Sequence, residues 1–198
     1  MKASVILAHP YEKSFNHAIF YTAVDCLKKA GVLVFAHDLY AEGFDPVMTV
    51  DELGKDPTED PLVAQYAREL TDSDLLVFVH PNWWGQPPAI LKGYIDRVIR
   101  PPYAYDFDEN AQGAPATGKL TGKTGIVFNT SNTPEERENN YFHDPLEYLW
   151  GRCVFGFCGM EEGFTRRMFR VVADSTEEIR EGWLEEVGLI IERVLEGS

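Results

Sequence analysis

Residues 78–98, F-V-H-P-N-W-W-G-Q-P-P-A-I-L-K-G-Y-I-D-R-V, constrain the fold more than any other stretch of the chain. An apolar run over residues 75–79 stops abruptly at His80-Pro81. A short loop of tryptophan, glycine and proline follows. From Pro88 onward, Ile90, Leu91, Tyr94, Ile95, Val98 and Ile99 recur at helical spacing. The pattern is strand, loop, helix, with the loop at the carboxyl end of the strand, where open α/β sheets bind ligands. A purely structural crossover has little reason to crowd Trp83, Trp84, Gly85 and three prolines into one turn. The loop is therefore expected to meet a ligand.

The same grammar opens the chain. Residues 3–8 form a short apolar run that leads into H-P-Y-E-K-S-F-N-H-A. Ser14 is placed to cap a helix whose inner face carries Phe15, Ile19, Ala23, Cys26, Leu27 and Ala30, with Gly31 ending it. Residues 32–36 read as a second strand, completing the start of a βαβ unit. The loop has neither the glycines of a dinucleotide fingerprint nor the G-K-[ST] of a nucleotide-phosphate loop. Ser14 and Asn16 still lie at a helix amino terminus, where free backbone N–H groups favour an anion. An ordinary capped helix reads equally well there. His9 and His17 have no third ligand near them, so no metal is expected.

Residues 38–60 form a long polar connection in which residues 47–53 have room for a short element, and Pro61 starts the next helix. Beyond the central unit, Tyr103, Tyr105 and Phe107 alternate with small or acidic residues, either as a stacking wall for a planar ring or as pins for the loop. A Gly-, Pro- and Ala-rich stretch then runs to Gly122. The strand at 125–128 leads into Asn129, Thr130, Ser131 and Asn132, four hydrogen-bonding residues that suit a ring-edge or phosphate clamp. Thr133-Pro134 with Glu136 is also a helix start. Tyr141 and His143 follow on a polar, aromatic loop and are candidate proton donors. Residues 145–150 read as a short helix, 153–158 as the fifth strand and 164–172 as a possible extra edge strand. Ser175-x-x-Glu178 reads as the capping box of a last amphipathic helix.

These elements predict a single three-layer α/β domain over residues 1–198, with a five-stranded parallel sheet in the order 2-1-3-4-5. The loops after its first, third and fourth strands gather at one edge. The formal net charge of −14 argues against a nucleic-acid partner. No run is long enough for a membrane span, and the first residues are too short an apolar run for a signal peptide. Three cysteines without close spacing suit a reducing, cytoplasmic setting, with Cys158 buried and unreactive rather than a redox thiol.

The chain resembles the NAD(P)H:quinone oxidoreductase family of flavodoxin-like fold, the NAD(P)H dehydrogenases (quinone). The resemblance is carried by H-P-x-x-x-S-F-N at 9–16, D-L-Y-A-E-G-F-D-P at 38–46, the long motif at 81–98, A-Y at 104–105 and F-C-G at 157–159. It implies a tightly bound FAD or FMN, reduced by NAD(P)H, that passes two electrons to a quinone or similar small-molecule acceptor. It implies that His9, Ser14, Phe15, Asn16 and Ala18 hold the flavin phosphate region. Pro81, Asn82, Trp83, Trp84 and Gly85 would line the ring, and Asn129, Thr130, Ser131 and Asn132 its pyrimidine edge. Tyr105, Tyr141 and His143 would serve catalysis, in a homodimer whose active site lies at the subunit interface. Three departures stand out. Gly85 replaces a large aromatic, which is expected to open the pocket; N-T-S-N replaces T-T-G-G; and Phe107 replaces a tyrosine. The rival reading is a flavin-binding electron-transfer or regulatory protein, such as an ancillary transporter subunit. A hydrolase has no G-x-S-x-G to support it.

Overall fold

The computed structural model describes residues 1–107, 116–160 and 163–197. Part of the Gly-, Pro- and Ala-rich stretch, residues 108–115, lies outside them. The main sheet contains β1 (Lys2–Leu7), β2 (Leu33–Asp38), β3 (Leu75–Pro81), β6 (Thr124–Ser131) and β7 (Phe164–Arg170). Its order is β2-β1-β3-β6-β7, and every pairing is parallel. Counted within the sheet alone, this is the expected 2-1-3-4-5. A two-residue antiparallel pair, β4 (Tyr105–Asp106) with β5 (Thr117–Gly118), lies apart from it.

Every residue of β3 is buried, because alternate side chains feed two separate cores. Leu75, Val77 and Val79 pack with Ile19, Ala23 and Leu27 of α1 (Phe15–Lys29) and with Val187 and Ile191 of the last helix (Glu177–Glu196). Leu76 and Phe78 pack on the other face with Tyr66 and Leu70 of α2 (Pro61–Asp72) and Leu91 and Tyr94 of α3 (Ala89–Val98). Each such side chain contributes ~1.5–3 kcal/mol on burial. Ser14 caps α1 and Asp60 caps α2, with Pro61 in the first helical turn. Among the described residues no helix is long and apolar enough to cross a membrane.

Residues 153–158 are not a strand. They lie in a wide π-type helical turn, Leu149–Gly156, and the short stretch after it. Trp150 and Phe155 are five residues apart, and the wide turn sets both on the sheet-facing side with ring centroids 5.5 Å apart. Gly125 makes room for them, since a Cβ there would lie 2.7 Å from the Phe155 ring. The fifth strand is instead β7, whose arginines disguised it as an extra edge strand. The last helix starts one residue later than expected: Thr176, not Ser175, accepts the Ile179 N–H.

The long connection between β2 and α2 is clamped down rather than loose. It holds a short 3-10 turn at Asp51–Leu53. Arg97 of α3 donates to both Glu52 oxygens and to Asp60 Oδ2, and its Nη1 donates to the Asp45 carbonyl. Arg100 donates to the carbonyls of Gly54 and Asp56. Gly93 lets the loop cross, because a Cβ on it would collide with Pro46. Burial acts to raise Glu52, but hydrogen bonds from Arg97, the Thr49 N–H and the Thr58 hydroxyl outweigh it and hold the carboxyl at about 2.

Arg97→Met leaves Glu52 buried without its cation and is expected to cost ~3–5 kcal/mol in urea unfolding. The ion pair stabilises the fold fully above the ordinary glutamate range. That contribution fades as pH falls toward about 2. A Glu52→Gln chain should show a shallower loss of stability across the acid range.

Candidate functional site

The loops after β1, β3 and β6 meet over the carboxyl edge of the sheet and enclose a cleft of about 370 Å³. His9, Ser14, Phe15, Asn16, Pro81, Asn82, Trp83, Thr130, Ser131 and Asn132 line it, together with Thr133, Val172 and Ala173. Ten of the expected site residues are thus brought together. Thr133, Val172 and Ala173 were not foreseen; the last two follow β7, whose place in the sheet the sequence pattern obscured.

At one end of the cleft is the start of α1. The first-turn N–H groups of Phe15 and Asn16 have no intrahelical acceptor. His17 N–H donates to Ser14 Oγ at 3.3 Å, and Ser14 Oγ lies 2.9 Å from His17 Nδ1. His17 Nε2 lies 3.0 Å from Asp38 Oδ2. Asn16 is 3% exposed and donates to Thr130 Oγ1 at 2.9 Å, while its Oδ1 has no partner. Burial lowers the His9 imidazole below its ordinary value, and nearby His17 lowers it further.

The other wall is a tight hairpin. Trp83 and Gln86 exchange backbone hydrogen bonds around Trp84 (φ 59°) and Gly85 (φ 72°), a two-residue turn with both central residues left-handed. Asn82 steadies it: its N–H donates to the Thr130 carbonyl at 2.6 Å, and its Oδ1 accepts the Gly85 N–H at 2.9 Å. Trp84 is fully exposed at the tip. Gly85 does not open the pocket on the side of Pro145, as its lack of a side chain suggested. The Pro145 ring takes that space, 2.7 Å from where a Cβ would stand.

Trp84 and Gly85 line a neighbouring cavity of about 320 Å³ with Asn82, Thr133, Glu138, Phe142 and Pro145. Glu138 is 1% exposed; its Oε1 accepts from Asn82 Nδ2 at 3.0 Å, and its Oε2 has no partner. Sequence reasoning missed Glu138, because in E-E-R-E-N-N it reads as one more charge on a solvated helix. The cleft and this cavity meet at Asn82 and Thr133, and each offers an unsatisfied buried acceptor. With the open helix start, that donor and acceptor set fits a planar ring carrying a phosphorylated polyol arm.

Five expected residues line neither the cleft nor the cavity beside it. The Asn129 side chain faces the interior, where Nδ2 donates to His80 Nε2 at 2.8 Å and Oδ1 accepts from Arg166 Nε at 2.7 Å. Ala18 sits within the first turns of α1 and lines neither cavity. Tyr105 stands on β4 and lines a separate pocket with Met48, Ile95, Asp96, Ile99 and both Cys153 and Cys158. Burial pushes the Cys158 thiol up to about 12, so it is an inert core group. Tyr141 is exposed, and His143 lines a polar cavity beside Asp144 and Arg152. Within one chain, Tyr105, Tyr141 and His143 do not converge.

Residues 1–188 match the family described as Flavodoxin-like fold. An uncharacterized NAD(P)H oxidoreductase of Haemophilus influenzae is 31% identical over 168 residues, covering 81% of this chain and 80% of that one. Human ribosyldihydronicotinamide dehydrogenase [quinone] is 30% identical over 186 residues, covering 81% and 78%. The chain belongs to the flavodoxin-like NAD(P)H dehydrogenase (quinone) family. The crystal structure of Smu.1420 from Streptococcus mutans UA159 superposes with a TM-score of 0.84 at 29% identity, over 98% of this chain and all of that one. In this family member, then, the hairpin, the α1 start and the β6 loop share one edge because the parallel order puts β3 between β1 and β6.

His80 supports that edge from beneath. It is fully buried, and its Nε2 accepts from both Asn129 and Trp150, so Nδ1 carries the proton and donates to the Pro81 carbonyl at 2.8 Å. Burial holds the imidazole at about 3, with Arg166 lowering it further against the Pro81 bond. An unfolded histidine takes a proton near 6.5, whereas the folded one excludes it until about 3. As pH drops through that window, stability should therefore fall by up to about 1.4 kcal/mol per pH unit on account of His80 alone. Urea midpoints across pH should be flatter in His80→Gln by that slope; equal slopes would place the proton elsewhere.

Proposed function

We propose that this chain is a flavin-dependent NAD(P)H oxidoreductase that passes two electrons to a quinone or a similar small acceptor. The observation that carries the reading is the cleft itself. An anion-binding helix start, a tryptophan hairpin and two unsatisfied buried acceptors share one sheet edge in a chain of this family. Ser14 and the Phe15 and Asn16 N–H groups would hold the phosphate of FAD or FMN. Asn82, Trp83, Thr130, Ser131 and Asn132 would orient the ring. When bound, the flavin supplies hydride acceptance and two-electron donation. The protein's own work is binding and orientation, with backbone dipoles near the ring edge favouring added negative charge. The Trp83–Gln86 hairpin would keep water from one side.

The exposed aromatics support a homodimer with the site at its interface. Trp84, Tyr141, Phe142 and Tyr148 are all exposed, and two of them, Trp84 and Phe142, border the cavity next to the cleft. In such a dimer Tyr105, Tyr141 and His143 would act on the partner's site, supplying protons to the acceptor. An acidic chain suits no nucleic-acid partner.

The purified protein should carry or take up flavin, and its visible absorbance should bleach anaerobically on adding NADH or NADPH. Bound flavin that stays oxidised would move the assignment to the electron-transfer or regulatory class. No binding on reconstitution would sink the cofactor assignment. Trp84→Ala should leave unfolding within about 0.5 kcal/mol, since the side chain touches only solvent in one chain, yet shift sedimentation from dimer toward monomer.

A further inference from the structure

We propose that His17 couples anion binding at the start of α1 to uptake of a proton, and so selects phosphate-bearing ligands over phosphate-free ones. The identity of the ligand rests on the flavin reading above. Asp38 decides the tautomer. Its Oδ1 accepts the N–H groups of Tyr40 and Ala41 at 3.0 and 3.2 Å, and its Oδ2 lies 3.0 Å from His17 Nε2. A carboxylate only accepts, so Nε2 carries a proton. In the neutral ring Nδ1 is then a lone pair, and the Ser14 hydroxyl 2.9 Å away spends its single hydrogen on it.

That arrangement turns only oxygen lone pairs of Ser14 toward the cleft, which opposes a phosphate oxygen placed on the free N–H groups of α1. A proton on Nδ1 reverses the bond. Nδ1–H then donates to Ser14 Oγ, the Ser14 hydrogen is released to the anion, and a positive charge stands one bond behind it. Asp38 balances that charge within the protein. Besides Asp38 on β2, the groups facing His17 are Ser14 and Tyr21 along its own helix and His9 from the β1 loop. The His9 and Tyr21 rings are centred 6.3 and 6.2 Å away. Burial lowers His9 below its ordinary value, and its Nδ1 already accepts the Tyr11 N–H.

A second observation points to the same ligand class. Asn16 Oδ1, unpartnered and buried, lines the cleft beside this helix start and requires a donor. A phosphate ester of a polyol brings both the anion and the hydroxyl.

The test is calorimetric titration of the flavin-free full chain with FAD from about pH 6 to about pH 8.5, the range in which histidines change charge. Two buffers of different ionisation enthalpy count the protons. The diphosphate of FAD does not titrate in this range, and riboflavin serves as the phosphate-free probe. FAD binding should take up close to one proton at the alkaline end, with affinity falling up to about tenfold per pH unit; riboflavin should show neither. In His17→Gln both effects should vanish while riboflavin affinity is kept. The wild-type two-buffer measurement stands even if that variant folds poorly. FAD affinity that is flat with pH and free of proton uptake, or equal uptake with riboflavin, overturns the proposal and leaves the flavin reading intact. If neither flavin binds, both fall.

Discussion

The bond from His80 Nδ1 to the Pro81 carbonyl sets the shape of the functional edge. β3 is the central strand, buried on both faces, and its end must turn a polar loop outward without leaving unpaired groups inside. His80 achieves this as a neutral ring with every position used: one donor to Pro81, and one lone pair shared by Asn129 and Trp150. Through those partners β3 is tied to β6 and to the π-type turn. Arg166 of β7 extends the network to Asp144 and Glu147, at 2.8 Å to each. Four elements are thereby aligned below one cleft.

Two devices with opposite physics hold the loops above. On the α3 side a buried cation, Arg97, gathers Glu52, Asp60 and a carbonyl, so that the 38–60 connection is fastened by charge as well as by its buried Leu39 and Phe44. At the hairpin the fastening is conformational. Asn82 satisfies the turn's backbone and the left-handed Trp84 and Gly85 keep it narrow. A non-glycine residue in that region costs energy and needs a reason to persist. A solvent-facing tryptophan there has no core to pack in, which is the argument for a partner surface.

Much of this was legible in the residues. The strand–loop–helix reading of 78–98, the Ser14 cap and the sheet order rest on alternation, helical spacing and turn chemistry, which are local signals. The failures have one cause. C-V-F-G-F-C reads as a strand because it is a short, mostly apolar run, yet a wide helical turn sets Trp150 and Phe155 on one face. Asn129 looked like the first residue of a clamp. Its side chain belongs to the opposite face of β6 from Thr130, and the interior claimed it.

The sequence by itself determined a parallel α/β sheet, the loops at its carboxyl edge and most of the residues that line them. It did so because burial periodicity and caps are written in neighbouring residues. Only the tertiary structure decided that Glu138 is a buried acceptor, that Pro145 fills the space beside Gly85, and that Asp38 orients His17 toward Ser14. Those facts depend on side chains 3 to 60 positions apart meeting across elements. No local pattern records such a meeting. The hydrogen-bonding role of each group is set by whichever partner the packing brings to it.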